Sequence, residues 1–580
     1  MDVTVEVDFP QGDGGRLRLV AASAVDGWQA YRPEKVIAAI DAADAAARAG
    51  HWVVGLLAYE AAPAFDAALL TRRALPSLPL AAFFTFPANG INAPARTDAS
   101  AFECGHWRAD DPQSRVREMV GIVREGIAAG TYYQVNASTR LRAAFSGDAG
   151  SLFRALAAAQ PDGYCARIAT PEWEVHSVSP ELFFDWRDDR LITRPMKGTA
   201  PRFAEPARDE AARATMLNSA KERAENVMIV DLIRNDLSRI ARTGSVRVPA
   251  LFEAHGLPTV WQMTSTVECR TRDDVGLSQV FGALFPCGSV TGAPKVSAMQ
   301  AICALESSPR GVYCGAVGVI RPGGHATFNV AIRTVTLDKR AGRAECGVGS
   351  GITIHSSAGA EYSEWVAKRR FLLRAAADFE LLETMLLHEG TVWLWPEHRT
   401  RLCAAAEHFG FAVDEAVLNA LRVQLEQAHP DGAWRVRLLC RRDGRLRTQV
   451  FALEPSPGEA TVVLATSPVQ SDEEFLRWKT TARGVYAPHQ PPAGAFDTLL
   501  WNERGELTEF TRGNVVLEVA GRRLTPPTES GLLAGAYRQV LLAAGEIEEA
   551  VLRVEDLRRA TRAWFINSVR GWVSVRVVER

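Results

Sequence analysis

No stretch constrains this chain more than Ser179-Pro-Glu-Leu-Phe-Phe184 and the segment that follows it, Thr193-Arg-Pro-Met-Lys-Gly-Thr199. The apolar run Leu191-Ile-Thr193 reads as a strand. Pro195 then fixes φ and interrupts regular hydrogen bonding, while Gly198 permits a close backbone approach, so Lys197 is expected in a constrained turn. Glu181 supplies a carboxyl sixteen positions upstream. A lysine presented in this way can act as a nucleophile. It does so only if burial or a neighbouring cation keeps part of it neutral, because a free ammonium with a pKa of about 10.4 has no lone pair to offer. From this segment alone, a solvated turn lysine is the alternative.

Around this segment the apolar periodicity sketches further elements. Leu17-Arg-Leu-Val20 is strand-like, Lys35 to Ala49 is helical, and Trp52 to Glu60 reads as a buried strand. Arg115 to Ala129 has helical spacing and stops at Gly130. Tyr132 to Leu141 alternates as a strand and puts Gln134 and Asn136 on one face. Lys221 to Leu237 is a long helix on which Glu222, Glu225 and Ile229 share a face; acidic residues in a first turn also complement the helix dipole. Glu361 and Glu364 repeat that spacing on another expected helix after Ser356-Ser357. Two such pairs facing one cavity would offer hard oxygen ligands to Mg2+. Gly347-Val-Gly-Ser-Gly351 is glycine-rich without dinucleotide-loop spacing, and its glycines would let backbone N–H groups approach an anion. Arg333, on a strand of alternating pattern, could add a bidentate contact to a carboxylate.

At 580 residues the chain is too long for one ordinary core, so at least two domains are expected. A net charge of -2 lacks the basic footprint that nucleic acid or an anionic membrane requires. No apolar run is long enough to span a bilayer, and Met1-Asp2-Val3 begins no charged-then-apolar leader, so a cytoplasmic location is expected. The nine cysteines stand singly, which suits reduced thiols and not a disulfide framework or a zinc site. Cys287 reads as a small buried hydrophobe.

Taken together with Gly130-Thr-Tyr-Tyr-Gln-Val-Asn136, Lys221 to Asp236, Gly288-Ser-Val-Thr-Gly-Ala-Pro-Lys295, Ala331-Ile-Arg-Thr334 and Gly347 to Ile352 with Glu361-Tyr-Ser-Glu364, the first two-thirds of the chain resembles the chorismate-utilising enzymes. Within them it looks most like the aminodeoxychorismate synthase component I group. The resemblance implies that Lys197 adds to C2 of chorismate as the 4-hydroxyl leaves, and that ammonia then attacks C4 and expels the lysine. Glu181 would be the general acid and base. It further implies Mg2+ held by Glu225 and Glu364, with Glu222 and Glu361 as outer or water-mediated ligands. Arg333 with Gly349, Ser350 and Gly351 would hold the enolpyruvyl carboxylate, and Thr199 and Thr291 are further substrate contacts. Lys197 and Asn226 separate this chain from anthranilate synthases, which usually carry a small residue and a histidine there. Gln262, where histidine is common in Leu257 to Thr266, and Cys287, in place of a common glycine, depart from the pattern without removing a reacting group.

That resemblance stops after Phe371-Leu-Leu-Arg374. No Gly/Ser linker follows, so the domains are expected at 1–375 and 376–580, close-coupled through Ala375 to Phe379. Phe379 to Leu387, His398-Arg-Thr-Arg-Leu402, Trp478-Lys-Thr-Thr-Ala-Arg483, Gly505 to Asn514 and Thr525 to Arg538 resemble the fold-type IV pyridoxal-phosphate enzymes. By that resemblance Lys479 carries the cofactor and Glu509 pairs with its pyridine nitrogen. Arg401, Asn514 and the Gly535-Ala536-Tyr537 turn bind the rest of it, the phosphate on the turn and Arg401. The expected fold is a large domain with a β-sandwich core flanked by helices, then a two-subdomain fold-type IV domain, α+β and α/β in class. The expected function is 4-aminobenzoate synthesis in two steps, amination of chorismate and then release of pyruvate. An aminotransferase or a non-catalytic docking module in the second unit, and anthranilate formation in the first, are the alternatives. With no Gly-x-Cys-x-Gly nucleophile segment, ammonia is expected from a separate glutamine amidotransferase subunit or from free ammonium. Fold-type IV sites are often built at dimer interfaces, which makes a homodimer through the second unit a further expectation.

Overall fold

The computed structural model describes residues 1–578 apart from 13, 93–101, 106, 161, 202–205, 257–259, 377–378, 410, 456–457 and 472. The first three residues of the 257–266 segment and positions 377–378 of the join therefore lie outside the described residues. Two compact units, Met1–Ala376 and Ala377–Arg580, divide the chain.

Strict alternation builds the first unit. Thr4–Pro10 buries every second residue, and Val5, Val7 and Phe9 pack in one core with Phe84, Phe86, Val317 and Val319. These side chains come from two antiparallel sheets, each of ten strands among the described residues. One sheet runs through Gln134–Gly147, Arg343–Ile352, Thr334–Asp338, Trp173–Ser179, Tyr164–Ala169 and Thr4–Pro10. The other runs through Met196–Pro201, Val260–Arg270, Arg190–Arg194, Leu182–Arg187, Ala326–Val330 and Ala316–Ile320. Because both inner faces are apolar, the sheets close on each other as a sandwich. Helices flank it. Ala220–Ser238 starts where the Ser219 hydroxyl accepts from Glu222 N, and it buries Asn226, Ile229, Val230, Ile233 and Leu237 along one face. Each of those large aliphatic side chains contributes about 1.5–3 kcal/mol on burial. Ala358–Lys368 starts in the same way at Ser357.

Four local readings are corrected. The Trp52 strand ends at Leu57, and Tyr59–Ala64 is a 3-10 turn, because the Glu60 carboxylate accepts from the Arg310 and Gly311 amides. Lys197 lies in the strand Met196–Pro201 and not in a turn. The pairing with Val260–Arg270 shifts register between Met196 and Thr199, and Gly198 has φ +83°, so Pro195 and Gly198 produce a β-bulge. Arg333 is not on a strand. It sits at φ +48° where the chain crosses from Ala326–Val330 in one sheet to Thr334–Asp338 in the other. Gly347 to Gly351 is not a loop but part of the strand Arg343–Ile352, paired with Gln134–Gly147 from Gly347↔Arg140 to Gly351↔Asn136.

The second unit has two parts. A four-stranded antiparallel sheet containing Leu381–His388 and Ala433–Cys440 carries the helices Trp395–Phe409 and Glu415–Ala428 over a core of Leu381, Met385, Leu402, Leu418 and Val436. An eight-stranded sheet follows, with parallel pairing at Glu459–Leu464 and the hairpin Leu507–Phe510, Gly513–Val519. The short helix Ala536–Ala543 packs Leu541 with Val516 and Ile566 of that sheet. Among the described residues no helix is long and apolar enough to cross a membrane.

Candidate active sites

In the first unit the bulge aims Lys197 at the 3-10 turn Gly288–Val290, where its Nζ donates to Ser289 O at 3.3 Å. Glu181 meets the same serine from the other side. Burial lifts its carboxyl above the usual carboxylate range, and the Ser289 hydroxyl and Lys197 pull it down only in part. One Glu181 oxygen has no partner. Ser289 thus meets both Lys197 and Glu181, the two groups singled out from sequence, and it was not itself singled out because only the fold brings residues 181, 197 and 289 together. The turn itself is held from below: the wholly buried Arg310 donates to Val290 O at 2.8 Å and Asn136 O at 2.6 Å. Asn136 is absorbed in that support, giving its amide to Val290 O.

Gln134 behaves differently from its neighbour two residues on. Both atoms of its buried carboxamide are unpartnered, as are Asn226 Nδ2 and Thr264 Oγ1. A Cβ built at Gly351 would stand 2.1 Å from Gln134 Nε2 and 3.6 Å from Lys197 Nζ, so the carboxamide, Gly351 and the lysine share one small space. Buried polar atoms nearly always find partners, and such a concentration of unpaired ones suits a polar ligand. Gln262 braces the bulge by donating to Gly198 O at 2.8 Å, and it accepts from Thr199 Oγ1 at 3.1 Å. Thr291 spends its hydroxyl on Cys287 O within its own turn, so it is turned away from that space. Cys287 is buried, and its thiol is pushed up to about 12 by burial.

The four glutamates are drawn together in part. Burial raises the Glu225 carboxyl; Lys197 opposes this, and the like charges of Glu222 and Glu364 reinforce it. Partial desolvation pushes the solvent-exposed Glu364 carboxyl up, but Lys368, 2.6 Å away, holds it below the usual range. Glu361 is occupied by the protein: it accepts from the Ser350 hydroxyl, which in turn accepts from Trp365 Nε1 at 2.8 Å. Among the described residues no three acidic, histidine or cysteine side chains stand close enough to hold one ion. Glu225 and Glu364 therefore offer a pair of hard donors, not a closed cage. Gly349 O accepts from Lys368 Nζ at 2.9 Å. Burial and the nearby Arg374 lower Arg333 to about 10, and no carboxylate among the described residues offsets its charge.

In the second unit, Lys479 is partly buried. Burial, then the charge of Arg401, brings its ammonium down to about 8, against the pull of Glu383 and Glu509. Glu509 is raised to about 8 by burial, although Tyr486 donates to one oxygen at 2.8 Å and the Leu533 amide to the other at 3.1 Å. Arg401 forks onto Glu383 and also reaches Ala534 O at 3.3 Å. Asn514 donates to Leu533 O at 2.8 Å, and a Cβ at Gly535 would stand 2.1 Å from its other amide atom. Gly535 is the N-cap of Ala536–Ala543, so the first amides of that helix open beside Ala536 and Tyr537. One cleft is lined by Lys479, Glu509, Arg401, Asn514 and Gly535 to Tyr537. Tyr486 and Leu533, which line it, and Glu383, which holds Arg401, were not legible from sequence. The donor set fits a phosphorylated pyridine aldehyde: a partly buried lysine of depressed basicity, a carboxylate across the cleft, and an arginine with a helix N-terminus for an anion.

Aminodeoxychorismate synthase component 1 of Klebsiella aerogenes is 40% identical over 258 residues, 44% of this chain and 57% of that protein. An anthranilate synthase component 1 of Haloarcula marismortui is 36% identical over 285 residues, 49% of this chain and 57% of that protein. The chain thus spans a little over half the length of these curated relatives. The solved structure of anthranilate synthase component I from Streptococcus pneumoniae shares the fold, with a TM-score of 0.52 at 23% identity over 64% of this chain and 92% of that one. Residues 380–578 match amino-transferase class IV. Residues 16–374 match the chorismate binding enzymes, so the chain belongs to the chorismate binding enzyme family and continues into a class IV aminotransferase-like domain.

Proposed function

We propose that the chain makes 4-aminobenzoate in two stages, aminating chorismate at C4 in the first unit and releasing pyruvate from the aminated product in the second. The observation that carries this reading is the Lys197–Ser289–Glu181 constellation, a lysine and a buried carboxyl of raised pKa that both meet one serine. Lys197 forms a bond to C2 while the C4–O bond breaks and the double bond shifts. Glu181, whose burial favours the protonated carboxyl, gives its proton to the departing hydroxyl and recovers one from the lysine nitrogen. Ammonia then bonds to C4, the shift reverses, and Lys197 leaves. Arg333, desolvated and without a counterion, suits one substrate carboxylate; Gln134, Asn226 and Thr264 suit ring oxygens. Mg2+ neutralises carboxylate charge when bound, and it takes one or two carboxylates plus substrate and water, which is the number that Glu225 and Glu364 supply. Relatives named "component 1" support ammonia delivery from a separate glutamine amidotransferase chain.

In the second unit, pyridoxal phosphate supplies an electron sink when bound. Arg401 and the amides at Ala536 and Tyr537 would hold its phosphate, and Glu509 would hold its ring nitrogen. Lys479 takes the C4 proton of the aminated substrate. The C3–O bond breaks, the enolpyruvyl group leaves as pyruvate, and the ring becomes aromatic. To test the reading, purified protein is incubated with chorismate, Mg2+, pyridoxal phosphate and ammonium, and products are followed by mass. 4-Aminobenzoate and pyruvate are expected. Lys479→Ala should stop at 4-amino-4-deoxychorismate and Lys197→Ala before it; anthranilate as product would overturn the first assignment.

A further inference from the structure

The second cleft is unusually rich in cations, and all but one of its arginines are matched by a carboxylate. Arg401, Arg483, Arg512 and Arg538 line it with Lys479, whereas Glu509 is the one acidic residue of the described lining. Arg401 is forked onto Glu383, Arg512 is paired with Asp497 at 3.1 Å, and Arg538 with Glu549 at 2.6 Å. Arg483 has no such partner among the described residues. Its guanidinium donates to Thr511 O and lies 4.3 Å over the ring of Tyr486, the residue whose hydroxyl holds Glu509. It is half-buried, five positions from Trp478 and four from Lys479. Its charge reaches both reacting groups, depressing Lys479 and Glu509 alike.

A guanidinium stacked on an aromatic ring, lining a cleft and lacking a counterion, is preorganised to take a planar carboxylate by two parallel hydrogen bonds. We propose that Arg483 is the carboxylate anchor of this site, so that the cleft selects an amine on a carboxylate-bearing ring over one whose body is neutral and apolar. The inference rests on reading the cleft as the pyridoxal phosphate site, and it deepens that reading by naming the substrate class. The geometry separates the two anionic ends of the cleft: Arg401 and the Gly535 helix start serve the phosphate, and Arg483, on the segment that carries Lys479, serves the substrate.

The test is a spectral titration of the full-length holoenzyme, following the long-wavelength band of the bound cofactor, with 4-aminobenzoate and with aniline, which share the ring amine and differ in the carboxylate. In the unmutated protein, 4-aminobenzoate should bind about 10- to 100-fold more tightly, the range of a hydrogen-bonded charged pair. Arg483→Met should bring the two ligands to within about twofold, and Arg483→Lys, which keeps the charge but not the fork, should fall between. If Arg483→Met retains the preference for 4-aminobenzoate, the anchor is elsewhere and the proposal fails. It also fails if Arg483→Met and Arg483→Lys both lose cofactor and weaken both ligands equally, because Arg483 then only braces Tyr486. None of these readings needs turnover. A protein that shows the Arg483-dependent preference but releases no pyruvate from 4-amino-4-deoxychorismate would keep the anchor and lose the proposed reaction.

Discussion

A methyl group at Gly351 would stand 2.1 Å from Gln134 Nε2, the far end of a buried side chain whose amide has no partner to hold it, so that carboxamide must shift. Gly351→Ala should therefore cost about 1–3 kcal/mol of stability in the first unit, the range of overpacking, and raise the KM for chorismate by displacing that carboxamide. Denaturant midpoints together with initial rates check it, and an unchanged KM would show that Gln134 does not face substrate. Glu181 permits a pH argument. Burial holds its proton on above the ordinary carboxylate range, and the protonated form is the acid that the leaving hydroxyl needs. Amination should accordingly fall as pH rises through that elevated value, and in Glu181→Gln the remaining slow rate should lose this alkaline decline. Lys197, Glu181, Lys479 and Glu509 were singled out in the sequence because each sits in a motif. Ser289 and Tyr486, which hold those groups, were not, since a hydroxyl becomes informative only when the fold shows what it touches.

At the scale of elements, the helix read as Lys221 to Leu237 lies within a residue of Ala220–Ser238, and the helix expected after Ser356-Ser357 starts there, whereas the capped helices Ala149–Ala159 and Glu415–Ala428 were not read. What else was not legible depends on distant pairing. The bulge at Lys197 exists because Met196 and Thr199 face a strand sixty residues away, and Arg333 leaves its ladder because the chain changes sheets there. The strand Leu381–His388 and the helix Trp395–Phe409 are joined by Glu383, which receives the Arg401 fork and His398 Nδ1 at 2.6 Å. Burial opposes the Glu383 charge, yet Arg401 and His398 hold it down to about 2. A carboxylate depressed in the folded state stabilises above its unfolded value of about 4.3, and that contribution is lost as pH falls through the folded value. The web should thus be intact at neutral pH and fail between those limits. Glu383→Ala, which leaves the Arg401 guanidinium without its carboxylate and the buried His398 imidazole without its acceptor, should destabilise the second unit by about 3–5 kcal/mol at neutral pH. Urea titration of the tryptophan signal measures this, and a cost below that range would mean that water reaches Arg401.

On the scale of the whole molecule, each unit carries apolar clusters of its own among the described residues. The apolar clusters of the first unit run from Val3 to Ala375, and those of the second from Phe379 to Val575. Two cores of this kind should unfold in two steps, and a ligand that binds only one folded unit should move only that step. Pyridoxal phosphate at about a hundred times its Kd should add about 2.7 kcal/mol to the second unit, a rise of about 2–4 °C for each kcal/mol in a domain of this size, with the other transition fixed. Uptake of the cofactor carries its own signature. Lys479 must be neutral to attack the aldehyde, and its ammonium is brought down to about 8. The rate of uptake should rise with pH and level off above about 8, some two units earlier than a free lysine would allow. Lys479→Ala should abolish both this profile and the long-wavelength band while leaving the transition of the first unit in place. A cofactor that shifted both transitions, in the parent protein or in the variant, would show that the two cores share their stability after all.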